Sequence, residues 1–174
     1  MNYRTLNKII LASLFAALIV ICAVFIHIPI PGGNGYLNIG DAFCIAAGIL
    51  LGPVYGAAAS AIGGALSDLF LGYAVYLPAT AIIKALIALA AYSVFNAIHK
   101  KGISLIASAI LSVIPSPVLY FIYEYFFMGY GPAAAVNIPF NYLQSAVSAV
   151  MAAGLITALS KAKLTEKIRG KKDD

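Results

Sequence analysis

A bundle of six transmembrane helices, with N- and C-termini cytoplasmic, is the fold class predicted for this sequence: an all-α integral membrane protein. Three observations predict it. The 174 residues are 63% hydrophobic and only 10% charged, with a mean hydropathy of +0.97, whereas soluble domains carry about 25% charged residues. A chain this short could not hide that much apolar surface from water. Apolar runs recur at the length needed to cross a bilayer, about 20 residues. Apart from Lys84, the basic residues lie in short patches: Arg4 and Lys8, Lys100 and Lys101, and a tail from Lys161 to Lys172.

The elements follow from that frame. Helices are predicted over about 5–28, 41–51, 54–71, 77–98, 103–127 and 139–160, with a basic cytoplasmic tail over 161–174, all in one transmembrane substrate-binding domain of residues 1–174. Four of these runs are long enough to span as they stand. The stretch from Asp41 to Leu71 is interrupted by Gly52 and Pro53, and proline breaks a helix because it lacks an amide hydrogen. Read as one helix, that stretch sends Lys100, Lys101 and the tail outside. Read as two, it brings every cluster of Lys and Arg to the cytoplasm and leaves loops 29–40, 72–76 and 128–138 without a basic residue, as the positive-inside rule expects. The 41–51 helix is short, roughly 16 Å at 1.5 Å per residue, and must lean on its neighbours. Asp41 reads as its N-cap, accepting from free amides.

The net charge of +5 sits in membrane-flanking patches, so nucleic acid is not an expected partner. Cys22 and Cys44 lie in apolar helical stretches and read as small packing residues, with no disulfide, metal or cofactor expected. Small residues recur four apart at Gly48, Gly52, Gly56, Ser60 and Gly64, which suits close helix packing in lipid.

Ionisable groups inside a span are costly and mark function by default. Here they are Asp68, Lys84 and Glu124, with Asp41 at a helix mouth; Asn141 and Gln144 open the last helix. All fall in the outer half under the six-helix topology, above inner halves of Ala, Leu, Ile, Ser and Gly. The pattern describes a polar cup open to the exterior over a closed apolar floor, suited to capturing an external solute. The outer loops add Asn34, Tyr36, Asn38, Tyr73, Tyr76, Tyr130 and Asn137, and Tyr120 and Tyr123 lie near Glu124. Tyrosines with a few amides suit a flat heterocycle, although Tyr73, Tyr125 and Tyr130 equally suit an interfacial aromatic belt. Lys84 and Glu124 read either as ligand contacts or as a pair neutralising each other. His27 reads as interfacial and His99 as solvated.

Chemistry of other kinds finds no motif. There is no phosphate-binding loop, no His-Glu-x-x-His and no Gly-x-Ser-x-Gly turn, so the chain is not expected to hydrolyse ATP or to be an enzyme. A self-sufficient small carrier or channel remains the alternative reading, though no inverted repeat of broken helices is visible.

Five blocks carry a resemblance: Tyr36-Leu37-Asn38-Ile39-Gly40-Asp41-Ala42, Leu51-Gly52-Pro53-Val54-Tyr55-Gly56, Gly63-Gly64-Ala65-Leu66-Ser67-Asp68-Leu69, Tyr76-Leu77-Pro78-Ala79-Thr80 and Ile83-Lys84. Together they resemble the S components of energy-coupling factor (ECF) vitamin transporters, in the branch that holds riboflavin-type, hydroxymethylpyrimidine and vitamin B6 proteins. The blocks span about half the chain. The resemblance implies a multi-pass protein of the bacterial plasma membrane. It binds a water-soluble vitamin from outside and docks on a transmembrane T component carrying two ATPase subunits. By region, it implies substrate contacts from Asn38, Tyr76, Lys84, Tyr120, Glu124, Asn141 and Gln144. The family's small residues on the first helix, spaced Ala-x-x-x-Ala, are matched by Ala12 and Ala16 and imply T-component docking. The absence of Trp argues against a tryptophan-stacked pocket. A small pyridine or pyrimidine such as pyridoxine or hydroxymethylpyrimidine is the expected ligand, with riboflavin next.

Overall fold

The computed structural model describes residues 3–33 and 35–169; Asn34 and the last basic residues of the expected tail, Lys171 and Lys172, lie outside the described residues. Helix α1 (Tyr3–Phe25) leads into a two-stranded antiparallel hairpin, β1 (Ile28–Pro29) against β2 (Tyr36–Leu37), with Ile28 opposite Leu37 and Pro29 opposite Tyr36. Then come α2 (Gly40–Leu51), α3 (Pro53–Phe70), α4 (Leu77–Ala97), α5 (Lys101–Leu111), α6 (Pro115–Ile122), α7 (Ile138–Lys161) and the short α8 (Leu164–Arg169). Among the described residues, four helical stretches are long and apolar enough to cross a membrane: Thr5–Phe25, Ala74–Ala97, Gly102–Phe127 and Gly131–Lys161.

The expected break falls at Gly52 and Pro53. Gly52 closes α2 with φ 87°, its N–H donating to the Gly48 carbonyl at 3.2 Å, and Pro53 opens α3. Only glycine takes that φ without steric cost, and proline at a helix start forfeits no bond. Helix α2 is the centre of the molecule, packed on α1, α3, α4 and α7. All of its 12 residues but Phe43 are buried, as suits a helix that is apolar all round. At roughly 18 Å it is shorter than a hydrocarbon core of about 30 Å, so its neighbours complete the thickness around it. It also lies very close to α4, since a Cβ on Gly48 would collide with the main-chain carbonyl of Ala88.

The fifth span differs from the uninterrupted 103–127 helix that was expected. Between α5 and α6 the chain tightens into a turn over Ser112–Ile114, and beyond α6 it widens into a π-helical turn, Tyr123–Phe127. Pro115 and Pro117 account for the Ser112–Ile114 turn, because neither has an N–H for the carbonyl four residues back. The Val113 carbonyl that Pro117 leaves open accepts from the Ser116 N–H and, across the helix interface, from the Ser145 hydroxyl of α7, each at 3.2 Å. Inside a membrane such freed carbonyls need a protein partner. The π turn is closed by the Met128 N–H donating to the Tyr123 carbonyl at 3.1 Å, and it carries the buried Glu124.

Two boundaries shift. Helix α1 ends at Phe25 because Ile28 is drawn into the hairpin, and part of the expected tail folds as α8. One end of the bundle holds the hairpin, the Leu71–Tyr73 turn and the start of α7. The other holds Lys8, whose ammonium sits 5.6 Å from the ring centre of Tyr55 just past the α2–α3 turn.

Candidate functional site

At the hairpin end the polar side chains converge on a partly open cavity of about 30 Å³, room for about one or two water molecules. Tyr36, Asn38, Asp68, Tyr76, Thr80, Tyr120, Glu124, Asn141 and Gln144 line it, with Ile30 and Gly35 of the hairpin region. Six of the seven residues singled out by sequence therefore meet there: Asn38, Tyr76, Tyr120, Glu124, Asn141 and Gln144. The wall draws on the hairpin, α3, α4, α6, the π turn and α7, so the fold brings together residues more than a hundred positions apart in sequence.

Lys84 is the exception. It is buried in α4, and its ammonium pairs with the Asp41 carboxylate rather than with Glu124. A lysine in an apolar interior is held by its nearest carboxylate, and α2 presents one at the required depth. Asp41 is correspondingly not the N-cap expected of it. Ile39 holds the cap position with no side-chain cap bond, and Asp41 is fully buried in the first turn of α2. The Gly40 N–H is taken instead by Asn38 Oδ1 at 2.8 Å. Asp41 and Lys84 thus form a buried, mutually neutralising pair, and neither lines the cavity.

Gln144 joins this pair to the roof. Its Nε2 donates to Asp41 Oδ2 at 2.7 Å, and its Oε1 accepts the Asn38 N–H at 2.9 Å. A second tie, from the Tyr36 hydroxyl to Asp68 Oδ1 at 2.8 Å, fixes the hairpin to α3. Burial, with the Asp68 carboxylate beside it, pushes the Tyr36 hydroxyl above the ordinary tyrosine range, so it stays a donor. Glu124 Oε1 accepts from Tyr76 at 3.1 Å and from Asn137 at 2.8 Å, while the Tyr120 hydroxyl donates to Thr80 at 3.2 Å. The second oxygens, Asp68 Oδ2 and Glu124 Oε2, are buried and make no hydrogen bond of normal geometry among the described residues, although Thr80 lies beside Asp68.

Aromatic rings edge the mouth. Tyr36 and Tyr73 stand 4.9 Å apart, Tyr73 and Tyr76 6.3 Å, and Tyr76 and Tyr123 6.3 Å. Tyr73 and Tyr130 do not line the cavity. His27 is exposed, bonded to the Val24 carbonyl, and outside the cavity as well. Ala12 and Ala16 are partly buried on α1, and the Ala16 carbonyl lies where α3 makes its close approach at Gly63.

Asp68, Thr80 and Tyr36 are wall residues that the list from sequence lacked. Asp68 and Tyr36 fell in the patterned blocks and at the polar end, which was the available signal. Thr80 also lay in a patterned block, Tyr76 to Thr80, but a threonine in an apolar helix does not stand out until its rotation is known.

Comparison with known proteins places these features among relatives. Residues 4–161 match the family described as ECF-type riboflavin transporter, S component. An uncharacterized protein in a gap 3'region of Pyrococcus woesei is 28% identical over 138 residues, which is 78% of this chain and 89% of that protein. A solved structure of the S component of a bacterial ECF transporter superposes with a TM-score of 0.75 at 25% identity, covering 90% of this chain and 97% of that one.

Proposed function

The chain belongs to the ECF-type riboflavin transporter S component family, and from that premise we propose that it captures a small pyridine- or pyrimidine-type vitamin, pyridoxine or hydroxymethylpyrimidine in kind, for an ATP-driven importer. Membership makes it a membrane protein for vitamin transport that works with an ECF module. The finer assignment is a single domain of six spans, with α5 and α6 counted as one and both ends in the cytoplasm, docked through Ala12 and Ala16 on a T component with two ATPase subunits. A bacterial plasma membrane is its setting.

One observation supports the ligand class most: Tyr36, Tyr76 and Tyr120 share a small cavity with Asp68, Glu124 and Asn141. Rings of that kind cover a flat heterocycle, and the polar groups read its substituents. Asn38, Tyr76, Tyr120, Glu124, Asn141 and Gln144 are the proposed contacts, joined by Asp68, Thr80 and Tyr36; Lys84 acts from beneath. A heterocycle exceeds the space of about 30 Å³ here, and lifting of the hairpin, which breaks the Tyr36–Asp68 and Asn38–Gln144 bonds, is the proposed way in. Riboflavin is the second reading, favoured by the family match.

Native mass spectrometry of protein purified from cells grown in rich medium, followed by titration with B vitamins, tests the assignment. A bound pyridine or pyrimidine supports it, and a bound flavin supports the second reading. If no vitamin binds and the chain alone carries solute into liposomes, an independent carrier is the better description.

A further inference from the structure

Three carboxylates stand at the cavity end of the bundle: Asp41, Asp68 and Glu124. Among the described residues they have one cation, Lys84, and its ammonium is committed to Asp41, whose second oxygen takes Gln144. That leaves Asp68 and Glu124 with neutral partners only: Tyr36 and the adjacent Thr80 for the first, Tyr76 and Asn137 for the second. Both side chains are 2% exposed, both line the cavity, and each keeps one oxygen without a hydrogen bond of normal geometry. The tyrosine protons are already given to protein acceptors: Tyr36 to Asp68, Tyr76 to Glu124 and Tyr120 to Thr80. The cavity wall therefore carries two carboxylates and no cation, its other neutral donors being side-chain amides such as that of Asn141. Buried carboxylates without a counter-charge are costly, and a bound group that supplies donors or a positive charge removes that cost.

We infer that Asp68 and Glu124 are the specificity determinants of this site and that they select ligands carrying a cationic or donor-rich substituent while refusing anionic ones, phosphorylated vitamins included. This rests on the cavity being the vitamin site. It narrows the class to rings with ammonium, amino, hydroxymethyl or ring N–H groups, and it excludes carboxylate-bearing rings of the same size.

The test uses two probes that share a pyridine ring, 3-(aminomethyl)pyridine and nicotinate, on the full chain purified in detergent and stripped of bound ligand. Thermal shift and titration calorimetry give the affinity for each. The expected result is that the ammonium-bearing ring binds and stabilises the protein and nicotinate does not. Glu124→Gln and Asp68→Asn should each weaken the cationic ring by roughly ten- to hundredfold, the scale of a lost charge-assisted hydrogen bond, and close the gap between the probes. Equal binding of the two probes, binding of neither, or a preference that survives both substitutions overturns the inference. Should one variant fail to fold, the other and the wild-type preference still decide. Pyridoxine measured against its 5'-phosphate separates the two readings. If the cationic probe is preferred and no vitamin binds, the vitamin assignment falls while the charge selection stands. If pyridoxine and its phosphate bind alike, the reverse holds.

Discussion

Lys84 shows how burial redirects a charged side chain. A ligand role predicts that its removal costs affinity and leaves the fold alone. Its position argues for the opposite weighting, because Lys84 is 3% exposed, absent from the cavity wall and paired with a fully buried Asp41. Removing one partner of such a pair strands the other charge, at a cost of about 3–5 kcal/mol, whereas replacing both with neutral residues costs far less. Lys84→Met should therefore lower the thermal unfolding midpoint strongly, and the double variant with Asp41→Asn should recover most of it. A Lys84→Met protein of wild-type midpoint and lost affinity would return Lys84 to the ligand contacts. The polar residues themselves were legible in the sequence, since an ionisable group in an apolar span stands out whatever the fold. Their partners were not. Whether Lys84 meets Asp41 or Glu124 depends on the rotation of α4 about its axis and on the depth of α2, which only packing fixes.

Element boundaries followed the same division. The α2–α3 break was legible because glycine followed by proline acts on the backbone locally, and the observed helices end and begin at those residues. The hairpin was not, for β1 and β2 are two residues each and leave no periodicity to read. Pro115 and Pro117 were in plain view, yet the span was expected to run unbroken, because a proline inside a membrane helix is tolerated when a neighbour satisfies the freed carbonyl. The neighbour is Ser145, on a helix some thirty residues away, bonding Val113 at 3.2 Å. Such interhelical bonds contribute about 0.6 kcal/mol on average in membranes. Ser145→Ala should cost about that much in the wild-type background. With Pro117→Ala in place the residue at 117 regains an N–H that can donate to Val113, so the serine substitution should then cost nothing measurable. Additive losses in the four-protein cycle of thermal unfolding would show that Ser145 acts through something other than the proline gap.

At the scale of the whole molecule, the proposed capture site and the proposed docking face lie in different regions, and this separates what substitutions can do. The cavity is built at the hairpin end, while the Gly-Pro turn and Lys8 mark the other. The chain's family works with an ECF module, which is the proposed source of energy for uptake. Of the four membrane-length stretches, the one in helix α1 has least cover, only 17% of its most apolar part being buried within the bundle. Its exposed residues include Ile10, Leu14 and Ile21, a surface for lipid or for a partner helix. Ala12 and Ala16 lie on the partly buried flank of α1, where short side chains let another helix approach closely. At Ala16 the inner neighbour is α3, through Gly63, so a bulky group there strains the subunit's own packing. Ala12 is one turn away from that close approach and gives the cleaner test. Ala12→Trp, expressed with a T component and its ATPase subunits, should abolish ATP-dependent vitamin uptake while the purified subunit binds vitamin with unchanged affinity and unfolds at the wild-type temperature. Uptake that persists would place the docking surface elsewhere on the bundle. Uptake and binding lost together, with a lower unfolding temperature, would assign Ala12 to the internal packing of α1. Binding kept and uptake lost is the combination that only a docking role produces, because the cavity lies at the far end of the helices and does not include α1.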